Sequence, residues 1–173
     1  GRLDSWHVKG FDILIKAWAK IYPNHKDWRL CIAGKDENGS LPMLQKWCKD
    51  YGVDDSTSFL GFCDDIVDLY RRASIFVLSS RYEGFGLVLV EAMSQGCACV
   101  ACDFRGRQRE IITSSKEGLV CPIENENALA DAIEKFISNK EYREKTAYNA
   151  IARAKYYSID KTIDRWLKFL NEI

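Results

Sequence analysis

Two carboxylates, Glu83 and Glu91, stand eight residues apart around the run Gly84-Phe85-Gly86-Leu87. Glycines on both sides of Phe85 let bare peptide N–H groups approach a ligand. The apolar residues of 85–95 predict a helix whose first N–H groups favour an anion. The helical rise then sets the two acids about 12 Å apart, the span of a nucleoside diphosphate sugar. In that reading one carboxylate meets sugar hydroxyls and the other meets ribose hydroxyls. The phosphates lie between them, over the amides of Gly84, Phe85, Gly86 and Leu87. Carboxylates repel phosphates, so cations are required, and Arg2 and Lys9 are the basic residues that the first loop offers.

A glutamate ahead of a helix also stabilises it unaided, by about 0.3–1 kcal/mol, so Glu83 alone assigns no ligand. Glu91 has Leu87, Val88, Leu89, Val90, Ala92 and Met93 around it and is expected to be at least partly buried, where a carboxylate needs a partner.

The elements that must carry these groups follow from the spacing of apolar residues. Leu14, Ala17, Trp18 and Ile21 predict one amphipathic helix, and Leu44, Trp47, Cys48 and Tyr51 a second. Ile66, Leu69, Tyr70 and Ala73 predict a third, and 85–95 a nearly all-apolar fourth. Between them, 28–34, 57–61, 75–78 and 99–102 are short apolar runs with strand character, and 118–120 is a last short strand. Alternation of continuous apolar strands with helices of about 8–13 residues predicts a doubly wound parallel α/β sheet covered on both faces. Three more helices follow: one on the stripe Ala128 to Ile137, one over 141–154, and a terminal one through Ile159, Ile163, Trp166, Leu167 and Leu170. In such a sheet ligands sit at the carboxyl ends of the strands, and the Glu83–Glu91 segment lies at one of them.

Composition narrows the classes. Length, 47% apolar and 29% charged residues fit one globular domain over 1–173 and exclude a disordered or fibrous chain. Lys and Arg balance Asp and Glu at 25 each, which leaves no global field for nucleic acid or an anionic membrane. The longest apolar run is far below the roughly 20 residues of a spanning helix, so a soluble, cytoplasmic chain is expected. Seven cysteines, an odd number, fit a reducing compartment. Cys97, Cys99 and Cys102 have zinc-like proximity but no fourth ligand nearby, and their alternation reads as a buried strand using Cys as a small apolar residue. The opening Gly1-Arg2-Leu3, with no strand ahead of the first helix, is expected to mark a fragment cut near a domain boundary.

Glu83-Gly-Phe-Gly-Leu-Val-Leu-Val-Glu-Ala-Met93 with Gly96, preceded by Gly1-Arg2-Leu3, Lys9-Gly10, Ile32-Ala-Gly34 and Phe59-Leu-Gly61, resembles the C-terminal half of retaining GT-B glycosyltransferases of the "group 1" family, which includes sucrose and glycogen synthases and bacterial envelope enzymes. The resemblance covers nearly the whole chain. It implies a Rossmann-like half of a GT-B fold with a helical C-terminal extension, and hexose transfer with retention from a nucleoside diphosphate sugar, UDP by preference, to a growing envelope glycan such as lipopolysaccharide or capsule. Arg2 and Lys9 resemble the pair that grips the donor pyrophosphate, and Glu83 the acid on the transferred sugar. Gly84, Phe85, Gly86 and Leu87 resemble the backbone contacts, Glu91 the ribose binder, and Phe62 and Cys63 the base site.

The resemblance further implies no metal and no cofactor, the nucleotide sugar being a substrate. Asp54-Asp55 and Asp64-Asp65 read as helix caps. It also implies a separate N-terminal acceptor domain, with the last helix crossing back to it and Trp166 left exposed. The expected partners are the donor, that domain and a lipid-linked acceptor at the inner face of a membrane, with no nucleic acid. Arg105, Arg107 and Arg109 read as a solvated basic loop, with contact to an anionic acceptor as the alternative. From another class, a non-enzymatic nucleotide- or flavin-binding module shares the layout.

Overall fold

A computed structural model describes residues 1–172. Strands β1 (Leu30–Ala33), β2 (Thr57–Gly61), β3 (Ile75–Leu78), β4 (Ala98–Asp103) and β5 (Leu119–Pro122) alternate with helices along the chain. The helices are α1 (Trp6–Lys9), α2 (Phe11–Ile21), α3 (Leu41–Asp50), α4 (Ile66–Arg72), α5 (Leu87–Ser94), α6 (Gln108–Ile111), α7 (Glu126–Ser138), α8 (Lys140–Ala154) and α9 (Ile159–Asn171). Short α1 and α6 lie in segments that carry too few apolar positions for periodicity to reveal a helix. Among the described residues no helix is long and apolar enough to cross a membrane.

Every strand pair is parallel, as the alternating order requires. The strands form two sheets: β1 with β2, Leu30 opposite Thr57, and β3-β4-β5, Ile75 opposite Ala98 and Val100 opposite Leu119. Strand β4 explains why its sequence is apolar at every position. Ala98, Val100 and Cys102 point into a core shared with α2, α3 and α7, while Cys99 and Ala101 point into a second core under α5 and α8. Side-chain period 2 buries both faces. Cys97, Cys99 and Cys102 are all buried, each thiol set against backbone carbonyls or Cys121, in keeping with their reading as small core residues.

Helix starts follow local capping. Asp65 accepts from the Asp68 amide at 2.9 Å, and Asn125, Asn139 and Ser158 cap α7, α8 and α9 in the same way. Asp54 and Asp55 differ from expectation: they begin a single 3-10 turn whose N-cap is Val53, and neither caps a helix. The α1–α2 junction turns on Gly10 at φ +65°, and a Cβ there would lie 2.1 Å from the Ser79 carbonyl oxygen. Only glycine lets this junction press onto the end of β3. Helix α9 leaves Ile159, Ile163, Trp166, Leu167 and Leu170 exposed along one side, Trp166 at 60%.

Candidate active site

The carboxyl end of β3 runs into Ser79, Ser80 and Arg81, which fasten two distant segments together. Arg81 is 6% exposed. Its guanidinium donates to both carboxylate oxygens of Asp12 at 2.7 and 2.8 Å, to the His7 carbonyl at 2.6 Å, and to Glu124. The Arg81 amide donates to the Val8 carbonyl at 2.8 Å, and the Ser79 hydroxyl to the Lys9 carbonyl at 2.7 Å. Helix α1 is thereby held against the β3 end. The bonds from Asp12, with those from Glu124, raise the Arg81 guanidinium above its ordinary range. Burial pulls Asp12 upward, but the Arg81 bonds outweigh it and hold the carboxyl below its usual value.

Fixed in this way, Lys9 meets Glu83. Lys9 Nζ donates to Glu83 Oε1 at 2.8 Å and the Ser80 hydroxyl donates to the same oxygen at 2.7 Å. The two side chains are 29% and 11% exposed. Beyond Glu83 the chain turns through Gly86, at φ +88° in the left-handed region, into α5. Helix α5 therefore starts two residues later than the expected position 85. Among the described residues, no amide from Gly84 to Val88 donates to a protein acceptor. Five N–H groups at the start of an apolar helix thus stay free beside a lysine and a carboxylate, which is a seat for an anion.

Glu91 departs from expectation. It is exposed, not half-buried, because α5 turns it away from Leu89, Ala92 and Met93, which fill the core. It nevertheless has a polar partner, the hydroxyl of buried Tyr70, which donates to Oε2 at 3.2 Å. Burial and the neighbouring Glu91 charge push the Tyr70 phenol upward, which keeps it a donor. Arg2 is not gathered with Lys9: its guanidinium lies 3.7 Å from Glu37 and is 64% exposed. Phe62 is exposed with Lys35 Nζ 4.8 Å from its ring centre, and Cys63 is half-buried just beyond it. Arg105, Arg107 and Arg109 are solvated, Arg109 bonding to Asp103 at 2.6 Å.

The residues that the sequence reading missed are the supporting ones: Asp12, Tyr70, Ser80, Arg81 and Glu124. Gln108 belongs with them. It is fully buried, its carbonyl accepts the Phe104 amide at 2.8 Å, and its Nε2 has no partner and faces the Gly86 turn. Only Arg81 and Ser80 had a positional signal, their place at the end of an apolar strand.

Comparison with known proteins identifies the family. A model of the family "Glycosyl transferases group 1" matches residues 1–153. The chain is 34% identical over 136 residues to the lipopolysaccharide core biosynthesis mannosyltransferase LpcC of Rhizobium leguminosarum bv. viciae, covering 77% of this chain and 38% of that protein. The crystal structure of the C-terminal domain of a glycosyl transferase group 1 family protein (LpcC) from Francisella tularensis superposes with a TM-score of 0.80 at 30% identity, over 88% of this chain and 81% of that one. Anabaena Alr3699/HepE in complex with UDP gives a TM-score of 0.89 at 26% identity, over 100% and 47%. The chain spans less than half the length of the curated relatives it matches.

Proposed function

The chain belongs to the group 1 glycosyl transferases, and on that premise we propose that it is the donor-binding half of a retaining, metal-independent enzyme that moves a hexose from a UDP-sugar to an envelope glycan. The observation that carries this reading is the Lys9–Glu83 pair beside the unbonded amides of Gly84 to Val88. Lys9 is close enough to neutralise a phosphate, and the α5 N-terminus adds its amides and its dipole. Charge developing on the leaving diphosphate is met by these groups and by Arg2, whose solvated pairing with Glu37 contributes little and leaves the guanidinium free to turn. Asp65 is engaged as a helix cap, which leaves Asp64-Asp65 poorly suited to hold a cation.

When pyrophosphate draws Lys9 away, Glu83 is released to accept hydrogen bonds from the sugar hydroxyls while Ser80 keeps it in place. Glu91, exposed and steadied by Tyr70, takes the ribose hydroxyls. Phe62 and Cys63 border the base. The similar Anabaena protein solved with UDP supports the choice of nucleotide, and the similar lipopolysaccharide core mannosyltransferase supports the envelope acceptor. The acceptor is held by a separate N-terminal domain, against which the apolar side of α9 docks. The test is transfer by the full-length enzyme. Lys9→Ala and Glu83→Ala lower it by roughly 10²–10³ with the circular dichroism spectrum unchanged; undiminished turnover in either variant removes the role assigned here.

A further inference from the structure

Gln108, at the start of α6, is fully buried and uses only half of its side-chain amide. Its Oε1 accepts the Phe104 amide at 2.8 Å, and that bond fixes which end of the group is oxygen and which is nitrogen. Nε2 therefore points the other way, where it has no hydrogen-bond partner. It points at the turn into α5: a Cβ built on Gly86 would lie 3.9 Å from Nε2, with Leu78 and Ile111 as its other neighbours. A buried donor left unpaired in such apolar surroundings is costly. The bond to Phe104 accounts for the oxygen of Gln108, and packing does not account for the nitrogen.

The acceptor that Nε2 lacks stands in the same turn. Among the described residues no backbone amide donates to the carbonyl of Gly84 or Phe85, just as no amide from Gly84 to Val88 donates to a protein acceptor. In a trans peptide the N–H and C=O point in opposite directions. A Phe85–Gly86 peptide with its N–H aimed outward at an anion therefore turns its carbonyl inward, toward Gln108. Gly86 has φ +88° and no Cβ, so this peptide can rotate with little steric resistance. Resting on the donor-binding reading above, we propose that Gln108 is a positioning residue for the donor diphosphate. When phosphate draws the Gly86 amide outward, the Phe85 carbonyl turns onto Gln108 Nε2, and the new bond holds the peptide in its anion-binding orientation. Gln108 itself does not touch the ligand. Its unpaired donor is satisfied only in the bound state, so forming this bond adds to donor affinity.

The test reads that peptide directly. Phe85–Gly86 is the single Phe-Gly step in the sequence, so carbon-13 in phenylalanine carbonyls with nitrogen-15 in glycine gives one correlated NMR signal. Saturating UDP moves both its amide proton and its carbonyl carbon downfield in the parent. In Gln108→Met the amide proton still moves, the carbonyl displacement is lost, and UDP affinity falls roughly 3–10-fold, the worth of one neutral hydrogen bond. Where Gln108→Met does not fold, the parent alone decides. The side-chain amide of Gln108, one of three glutamines, is then assigned with nitrogen-15 glutamine, and one of its protons moves downfield with UDP. An equal carbonyl displacement in parent and Gln108→Met overturns the proposal, as does a Gln108 side chain unmoved while the Gly86 amide shifts; both outcomes leave the donor reading standing. No UDP-dependent shift anywhere in the spectrum overturns the donor reading and this proposal with it.

Discussion

Lys9 Nζ and Glu83 Oε1, 74 residues apart in sequence, lie 2.8 Å apart at the carboxyl end of β3. The pair joins a group that can serve a phosphate to one that can serve a sugar. With side chains 29% and 11% exposed the pair is largely shielded, so removing either partner is expected to cost more than the roughly 1 kcal/mol of a surface pair. Lys9→Ala and Glu83→Ala are accordingly expected to unfold at lower urea midpoints than the parent while staying folded in water, and transfer by the full-length enzyme falls by roughly 10²–10³, the range for removing one group that stabilises developing charge.

Gly10 faces a tighter constraint than Gly52, although both have positive φ. A Cβ at Gly10 would lie 2.1 Å from the Ser79 carbonyl, whereas one at Gly52 meets nothing within 4 Å. Gly52→Ala should lose about 1 kcal/mol through backbone strain alone. Gly10→Ala should lose more than about 2 kcal/mol, since the α1 segment must also lift from β3. Urea denaturation of the two variants side by side reads the difference.

Arg81→Met strands Asp12 without its counter-ion in a half-buried site, and a loss of about 3–5 kcal/mol is expected. The double variant Arg81→Met with Asp12→Leu recovers part of it. The pair also sets an acid limb. Because the folded Asp12 carboxyl is held below its usual value, its contribution is complete above the unfolded value of about 3.9 and is lost as pH falls through the lower folded value. Thermal melts between pH 7 and pH 2 should therefore show a shallower acid decline in Arg81→Met than in the parent.

Thiol reagents separate the cysteines by position. Cys31 is exposed and Cys63 half-buried, while Cys48, Cys97, Cys99, Cys102 and Cys121 are buried. Burial pushes the Cys97 thiol up to about 11 and raises the Cys99 thiol well above its ordinary value. Under native conditions near pH 8 two thiols should react quickly and the remaining five only on unfolding, as counted by an absorbance assay.

Much of this was legible in the sequence because the parallel layout makes whole strands apolar: β4 reads as a continuous run since Val100 and Cys99 face opposite cores. The Gly-Phe-Gly turn and its flanking acids were legible because short-range chemistry fixes them. Arg81 with Asp12 and Glu124 was not, since residues 69 and 43 positions apart meet only through the sheet. Glu91 was expected to be at least partly buried on the strength of apolar neighbours along the chain, but Leu87, one of those neighbours, is itself 64% exposed. Apolar composition all round a helix did not mean burial all round. The division into two sheets had no local signature, because each strand is a good parallel strand by itself.

The most direct test of donor binding is calorimetric titration of this chain with UDP. Association at millimolar strength or tighter, lost in Glu91→Ala with the fold retained by circular dichroism, is the result the account predicts. UDP affinity untouched by Glu91→Ala, or binding of FMN with indifference to UDP, contradicts it.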